Sequence, residues 1–149
     1  MLFLFLFTFL TATQTLTGSV IKIIDGDTFD LLSNGTVYRI RLNGIDCPER
    51  KQAYYQEAKD ALGAWCHQQQ VTVKYNSRDR NGRLLGDVYI NRRHLNLLLV
   101  QQGLAWHFKK YSTDRQLAAA ELQARKEKRG LWKEPNAVAP WEWRKYRKN

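Results

Sequence analysis

Three observations predict a small β-barrel carrying helices. Five short stretches, 20–24, 28–32, 37–42, 71–75 and 84–90, read as strands, and 37–42 and 71–75 alternate their side chains, the period of a strand with one buried face. Turn signals punctuate them at Asp25-Gly26, Ser33-Asn34-Gly35 and Asn81-Gly82, where the chain needs residues that tolerate tight backbone. Between the third and fourth stretches, Ala58, Ala61, Leu62, Trp65 and Cys66 recur at helical spacing. Three strands, a helix, two strands and further helices is the element order of a five-stranded OB-type barrel, and three helices are expected on it.

Each element has a local reason. Residues 1–21 carry no charged side chain, and Leu2–Leu10 is almost entirely Leu and Phe. Such a run is too short for a bilayer, which needs about twenty residues. It fits the core of a signal peptide followed by a small, polar region with a cut after Thr13 or near Gly18. No positive charge follows Met1 and no A-x-A site is present. Residues 1–18 are therefore read as a signal peptide, 19–133 as the folded domain and 134–149 as a basic, Trp-bearing tail. The protein is expected to be secreted or periplasmic, with no stable membrane span. Val20–Leu32 reads as a hairpin arm with a bulge signal at Asp25-Gly26-Asp27-Thr28. A helix is expected over Tyr54–His67. A second, Leu95–Gln102, is closed by Gly103. Ser112 or Thr113 should cap a third, with Asp114 in its first turn, running to about Arg129 before Gly130. Pro135 and Pro140 argue against regular structure in much of the tail.

Composition bounds the function. The chain has 149 residues and a net charge of +10. That length makes one domain with a core needing no staples, and the apolar content excludes disorder. The positive excess favours a polyanionic partner, nucleic acid first and anionic lipid second. Two cysteines, Cys47 and Cys66, are too few for a disulfide framework; they are one pair, or a loop thiol and a buried helix thiol. His67, His94 and His107 are scattered without zinc-ligand spacing.

The chemistry concentrates in Arg39–Glu49. Val37, Arg39 and Arg41 alternate with Tyr38, Ile40 and Leu42, then Asn43-Gly44 opens a loop ending Asp46-Cys47-Pro48-Glu49. A fixed guanidinium beside carboxylates suits phosphate chemistry, the cation taking developing charge and the carboxylates holding a metal or handling a proton. A surface ion pair is the plainer alternative. Asp27, just past a bulge, could be aimed toward Asp46, or could serve only its turn. Arg83 stands where the Asn81-Gly82 turn re-enters a strand.

Val20-Ile21-Lys22-x-Ile24-Asp25-Gly26-Asp27-Thr28, Arg41-Leu42-x-x-Ile45-Asp46-x-Pro48-Glu49, Asp79-x-x-Gly82-Arg83 and Gln102-Gly103-Leu104-Ala105 together resemble the staphylococcal (micrococcal) nuclease family, in order and in rough spacing. The resemblance spans about Ser19 to Lys133. It implies an OB-fold barrel with three helices that cuts DNA and RNA with calcium, one ion per domain, leaving 3′-phosphates. By that resemblance Asp27, Asp46 and the backbone carbonyl of Cys47 hold the metal. Glu49 is general base or water-orienter, and Arg41 and Arg83 bind the phosphate. Arg80, Phe108, Lys109 and Tyr111 fall where nucleic acid is contacted, with single strands preferred and the protein monomeric. The sequence departs from the family at Cys47, where threonine is usual, in a shorter segment from Arg50 to Gln56, and at Arg80-Asn81, which replaces a lysine-tyrosine pair. An exposed Cys47 would be open to oxidation. Trp106 is either a base contact or core, and Trp141 and Trp143 either stack bases or fold back over the barrel. The competing function is a non-catalytic OB module that binds single strands.

Overall fold

The computed structural model describes residues 12–147. Its strands are β1 (Gln14–Asp25), β2 (Thr28–Ser33), β3 (Thr36–Leu42), β4 (Ile45–Asp46), β5 (Gln70–Arg78), β6 (Leu84–Ile90), β7 (Arg93–His94) and β8 (Trp106–His107). Its helices are α1 (Tyr55–Cys66), α2 (Leu95–Gln101), α3 (Arg115–Lys126) and α4 (Pro140–Tyr146), with a 3₁₀ turn at Gly130–Lys133. The apolar run Leu2–Leu10 lies outside the described residues. Among the described residues, no helix is long and apolar enough to cross a membrane.

The five expected strands form the barrel. They pair antiparallel in the order β3-β2-β1-β5-β6, and a parallel pairing of β3 with β6 closes the ring through Ile40↔Leu84, Arg41↔Leu85 and Leu42↔Gly86. Closure removes the open edges. Inward residues such as Phe29, Leu31, Ile40, Leu42, Val73 and Leu84 are fully buried. Helix α1 closes part of the core with Ala58, Leu62 and Cys66.

Strand β1 starts earlier than expected. Its first half, Gln14–Ser19, pairs with β5, and its second half, Ser19–Asp25, pairs with β2. Bulges between Val20 and Lys22 and between Ile23 and Asp25 bend it from one partner to the other. Gly18 has to be glycine because the Leu32 carbonyl oxygen occupies the space of a Cβ. The boundary drawn at residue 18 thus falls inside β1.

Three further boundaries differ. Asp114, not Ser112 or Thr113, caps α3; its Oδ1 accepts from the N–H groups of Gln116 at 2.7 Å and Leu117 at 3.1 Å. Helix α3 ends at Lys126, and the chain turns through Lys128 and Gly130, both at φ 51°. The tail holds a fourth helix. Pro140 occupies its first turn, where the missing N–H breaks no helical hydrogen bond.

A second apolar cluster joins the tail to the domain. Trp106, Ala124, Leu131, Trp132 and Ala139 are its buried members, with Tyr54, Ala137 and Trp141 packed against them. Trp106 is core. Cys47 and Cys66 are both free and buried, so neither the disulfide nor an exposed Cys47 thiol is present.

Candidate active site

Short-range chain geometry sets the site. Asp25 ends β1, and Gly26 and Asp27 turn the chain into β2. A Cβ at Gly26 would lie 2.7 Å from the Ala58 Cβ and 3.0 Å from the Cys47 Cβ. Glycine therefore lets α1 and the Cys47 loop press directly on this turn. Asp27 is held there: its Oδ2 accepts the Cys47 N–H at 2.7 Å, and its Oδ1 accepts the Thr28 hydroxyl at 3.3 Å. Farther on, Gly44 at φ +73° turns the chain so that Ile45 and Asp46 pair with His107 and Trp106.

Arg41 reaches between these two segments. Its Nη1 donates to the carbonyls of Leu42 at 2.6 Å and Ile45 at 2.9 Å. Its Nη2 lies 3.1 Å from Asp46 Oδ1 and 3.3 Å from Asp27 Oδ2. Asp27, Arg41 and Asp46 thus meet at one guanidinium. Burial works against the Arg41 charge, but Asp27 and Asp46 outweigh it and raise its pKa. Glu49 stands beside them, with its N–H donated to Gln52 Oε1 at 2.8 Å.

Two residues of the site were not anticipated. Asp25 lines a small cavity of about 30 Å³ together with Asp27, Cys47, Pro48, Glu49 and Tyr55. Its position in Asp25-Gly26-Asp27 was the available signal. The second is Arg144, from α4. Its Nη2 lies 2.8 Å from Asp46 Oδ2, and its Nη1 donates to Glu49 Oε1 at 2.6 Å and Asp46 Oδ1 at 3.3 Å. Partial burial opposes its charge, but the bonds and charges of Asp46 and then Glu49 hold the guanidinium above its ordinary range. No local pattern announces a partner 98 residues away.

The cluster is short of positive charge. Asp25, Asp27, Asp46 and Glu49 face Arg41 and Arg144, four carboxyl groups against two guanidiniums. Burial, then the charge of Asp27, pushes Asp25 up to about 7. Burial also raises Asp46, against the hydrogen bond from Arg144. Among the described residues, no three His, Cys, Asp or Glu side chains are grouped to hold an ion, and arginines engage Asp27, Asp46 and Glu49. The donors are nevertheless all hard oxygens, from carboxyl groups that outnumber the guanidiniums, which fits a divalent cation of the oxygen-seeking kind.

Arg83 lies apart from this cluster. Its Nε sits 2.7 Å from Asp79 Oδ2, and its N–H donates to Asp79 Oδ1 at 3.0 Å. The β3–β6 register nonetheless places position 83 two residues before Leu85, the partner of Arg41, on the same outer face. Arg39, whose side chain shares a face with that of Arg41, forms a forked pair with Asp30 at 2.8 and 3.1 Å instead.

The expected nucleic-acid contacts are dispersed. Arg80 is exposed on the Asp79–Arg83 turn. Lys109 Nζ lies 3.2 Å from buried Glu121. Tyr111 is 68% exposed and meets Phe108 edge-on, with centroids 4.8 Å apart. Phe108 is stacked on Trp141 at 5.0 Å with the planes 2° apart, so one of its faces is covered. Cys47 contributes its N–H to Asp27; burial pushes its thiol well up, which keeps it from reacting as a thiolate.

The family model for staphylococcal nuclease homologues matches residues 39–134. An "Uncharacterized endonuclease" of Escherichia coli O157:H7 is 39% identical over 144 residues, 96% of this chain and 94% of the relative. A "Micrococcal nuclease" of Shigella flexneri is 40% identical over 143 residues, 89% of this chain and 82% of the relative. "Staphylococcal-like nuclease CAN1" of Arabidopsis thaliana is 42% identical over 108 residues, 72% of this chain but 33% of the relative.

Proposed function

We propose that the chain, which belongs to the staphylococcal nuclease family and is a nuclease by that membership, hydrolyses phosphodiester bonds of DNA and RNA with one calcium ion per domain, leaving 3′-phosphates. The observation that carries this reading is the convergence of Asp27, Arg41 and Asp46 with Glu49 alongside. Asp27, Asp46 and the Cys47 carbonyl would hold the calcium. When bound, it supplies Lewis-acid polarisation of a phosphoryl oxygen. The chain's own groups do the rest. Arg41, fixed by two carbonyls, donates to charge developing on the phosphate; such a preorganised donor needs no reorganisation during reaction. Arg83 adds a second fork from the neighbouring strand on leaving Asp79. Glu49 orients the attacking water and takes its proton. Water oxygen bonds to phosphorus, the P–O5′ bond breaks and the departing oxygen takes a proton, leaving phosphate on the 3′ side.

The net charge of +10 supports a polyanionic substrate. Exposed Arg80, Lys109 and Tyr111 would contact it, with an aromatic ring best used on an unpaired strand. The apolar N-terminus supports secretion or a periplasmic location. The test is cleavage of single-stranded DNA and RNA by purified protein with calcium, with chelator, and with Glu49→Gln. Cutting that needs calcium and collapses in the variant, with 3′-phosphate ends, is expected. Tight binding without cutting would instead identify a single-strand-binding module.

A further inference from the structure

We infer that α4 is a strap that occupies this active site until calcium and a strand displace it; the inference rests on the calcium site proposed above. Trp141 and Arg144 are three residues apart on a short helix and so share one face. That face meets the two halves of the site. Arg144 takes both oxygens of Asp46 and one of Glu49, while Arg41 shares Asp46 Oδ1. Asp46 is 2% exposed, and both of its oxygens lie beside a guanidinium. A calcium ion needs carboxylate oxygens at about 2.3–2.6 Å. An ion ligated to Asp46 would sit against the Arg144 charge, so the two compete for one carboxylate. Trp141 does the same to the aromatic platform. Its ring lies parallel on Phe108, the arrangement a stacked nucleobase would take. The strap thus presents a cation and a flat ring where the enzyme expects a metal and a base.

Its attachment suits such a role. Ala139 and Pro140 are buried and root the segment. Gln52 donates to the Val138 carbonyl at 2.9 Å while accepting the Glu49 N–H, so one side chain ties the strap's root to the Glu49 loop. Helix α4 itself has seven residues, Pro140 included. A helix that short has no stability of its own in water, so its contacts with the site decide whether it docks. Whatever fills the site removes those contacts.

Arg144 is half-exposed and belongs to neither core cluster, so Arg144→Gln leaves the fold standing, and Arg144→Lys serves as the conservative companion. Calcium binding is measured by calorimetry on the full chain, on both variants and on Asp46→Asn. The strap predicts that Arg144→Gln binds calcium tighter than the parent by on the order of tenfold, with Arg144→Lys between them and Asp46→Asn losing the heat. Hydrogen exchange in the parent supplies an independent readout: added calcium should speed exchange of the 141–146 amides. Equal or weaker calcium binding by Arg144→Gln overturns the strap and leaves the calcium site intact. No calcium binding by any of these proteins, or unchanged binding by Asp46→Asn, overturns the calcium assignment and the strap with it.

Discussion

Arg41 carries the densest set of contacts in the site, with four acceptors from three segments on one guanidinium. A lysine there keeps the charge but not the fork. Arg41→Lys should therefore cut kcat by about a hundredfold or more, the scale of one lost preorganised donor. It should also lower Tm, because Asp27 and Asp46 would face each other with less compensation; a melting curve beside the rate assay reads both. Asp79 makes a different claim. Burial opposes its charge, but the Arg83 bonds prevail and hold it below its ordinary 3.8. A lowered carboxylate stabilises the fold above the unfolded value and loses that contribution as pH falls through the folded one. The Tm gap between the parent and Asp79→Asn should be open at neutral pH and close as pH drops below 3.8. The thiols add a third expectation. Burial pushes Cys66 up to about 12 and Cys47 well up too, so a disulfide reagent at neutral pH should label neither until denaturant is added. Prompt labelling of Cys47 in the folded protein would contradict the packing of Gly26 against it.

At the scale of elements, the cap of α3 is the simplest test. Asp114 satisfies two N–H groups of the first turn, and Asp114→Ala should cost about 1 kcal/mol of stability, as such caps do, read from denaturant midpoints. The cap also shows what a sequence can carry. Ser112, Thr113 and Asp114 are all good cap residues, and the backbone decides which one sits half in the helix. The barrel strands were legible because alternation and turn chemistry are local: Val37–Leu42 and Leu84–Ile90 needed no knowledge of their partners. Asp27, Arg41 and Asp46 were legible for the same reason, since bulge and loop flank them directly. Helix α4 was not. Pro140 argued against it, although proline is harmless in a first helical turn, and seven residues give too little periodicity to outvote a proline. Trp141 stacked on Phe108, and Arg144 on Asp46, are contacts of long sequence separation with no local trace. The first half of β1 failed similarly, since Gln14–Gly18 has little alternation and owes its conformation to β5.

That half-strand has a consequence for the whole molecule. The barrel is a ring, and β1 is the member that joins two neighbours, β5 through Gln14–Ser19 and β2 through Ser19–Asp25. Of the six β1–β5 pairs, those at Gln14, Thr15, Leu16, Thr17 and Gly18 precede residue 19. A chain starting at Gln14 keeps the ring; a chain starting at Ser19 leaves β5 one pair on that side and uncovers Val71 and Val73, both buried. Unpaired backbone and exposed apolar side chains both act against the folded state, and an open edge invites pairing with a second molecule. The protein beginning at Gln14 should therefore match the longer chain in Tm and elute as a monomer, whereas the one beginning at Ser19 should melt several degrees lower, about the shift expected for a loss of 1–2 kcal/mol, and self-associate. Comparing the two by calorimetry and size exclusion also bears on processing. A cut after Thr13 leaves the barrel whole, while a cut near Gly18 would release a nuclease whose ring lacks most of one seam.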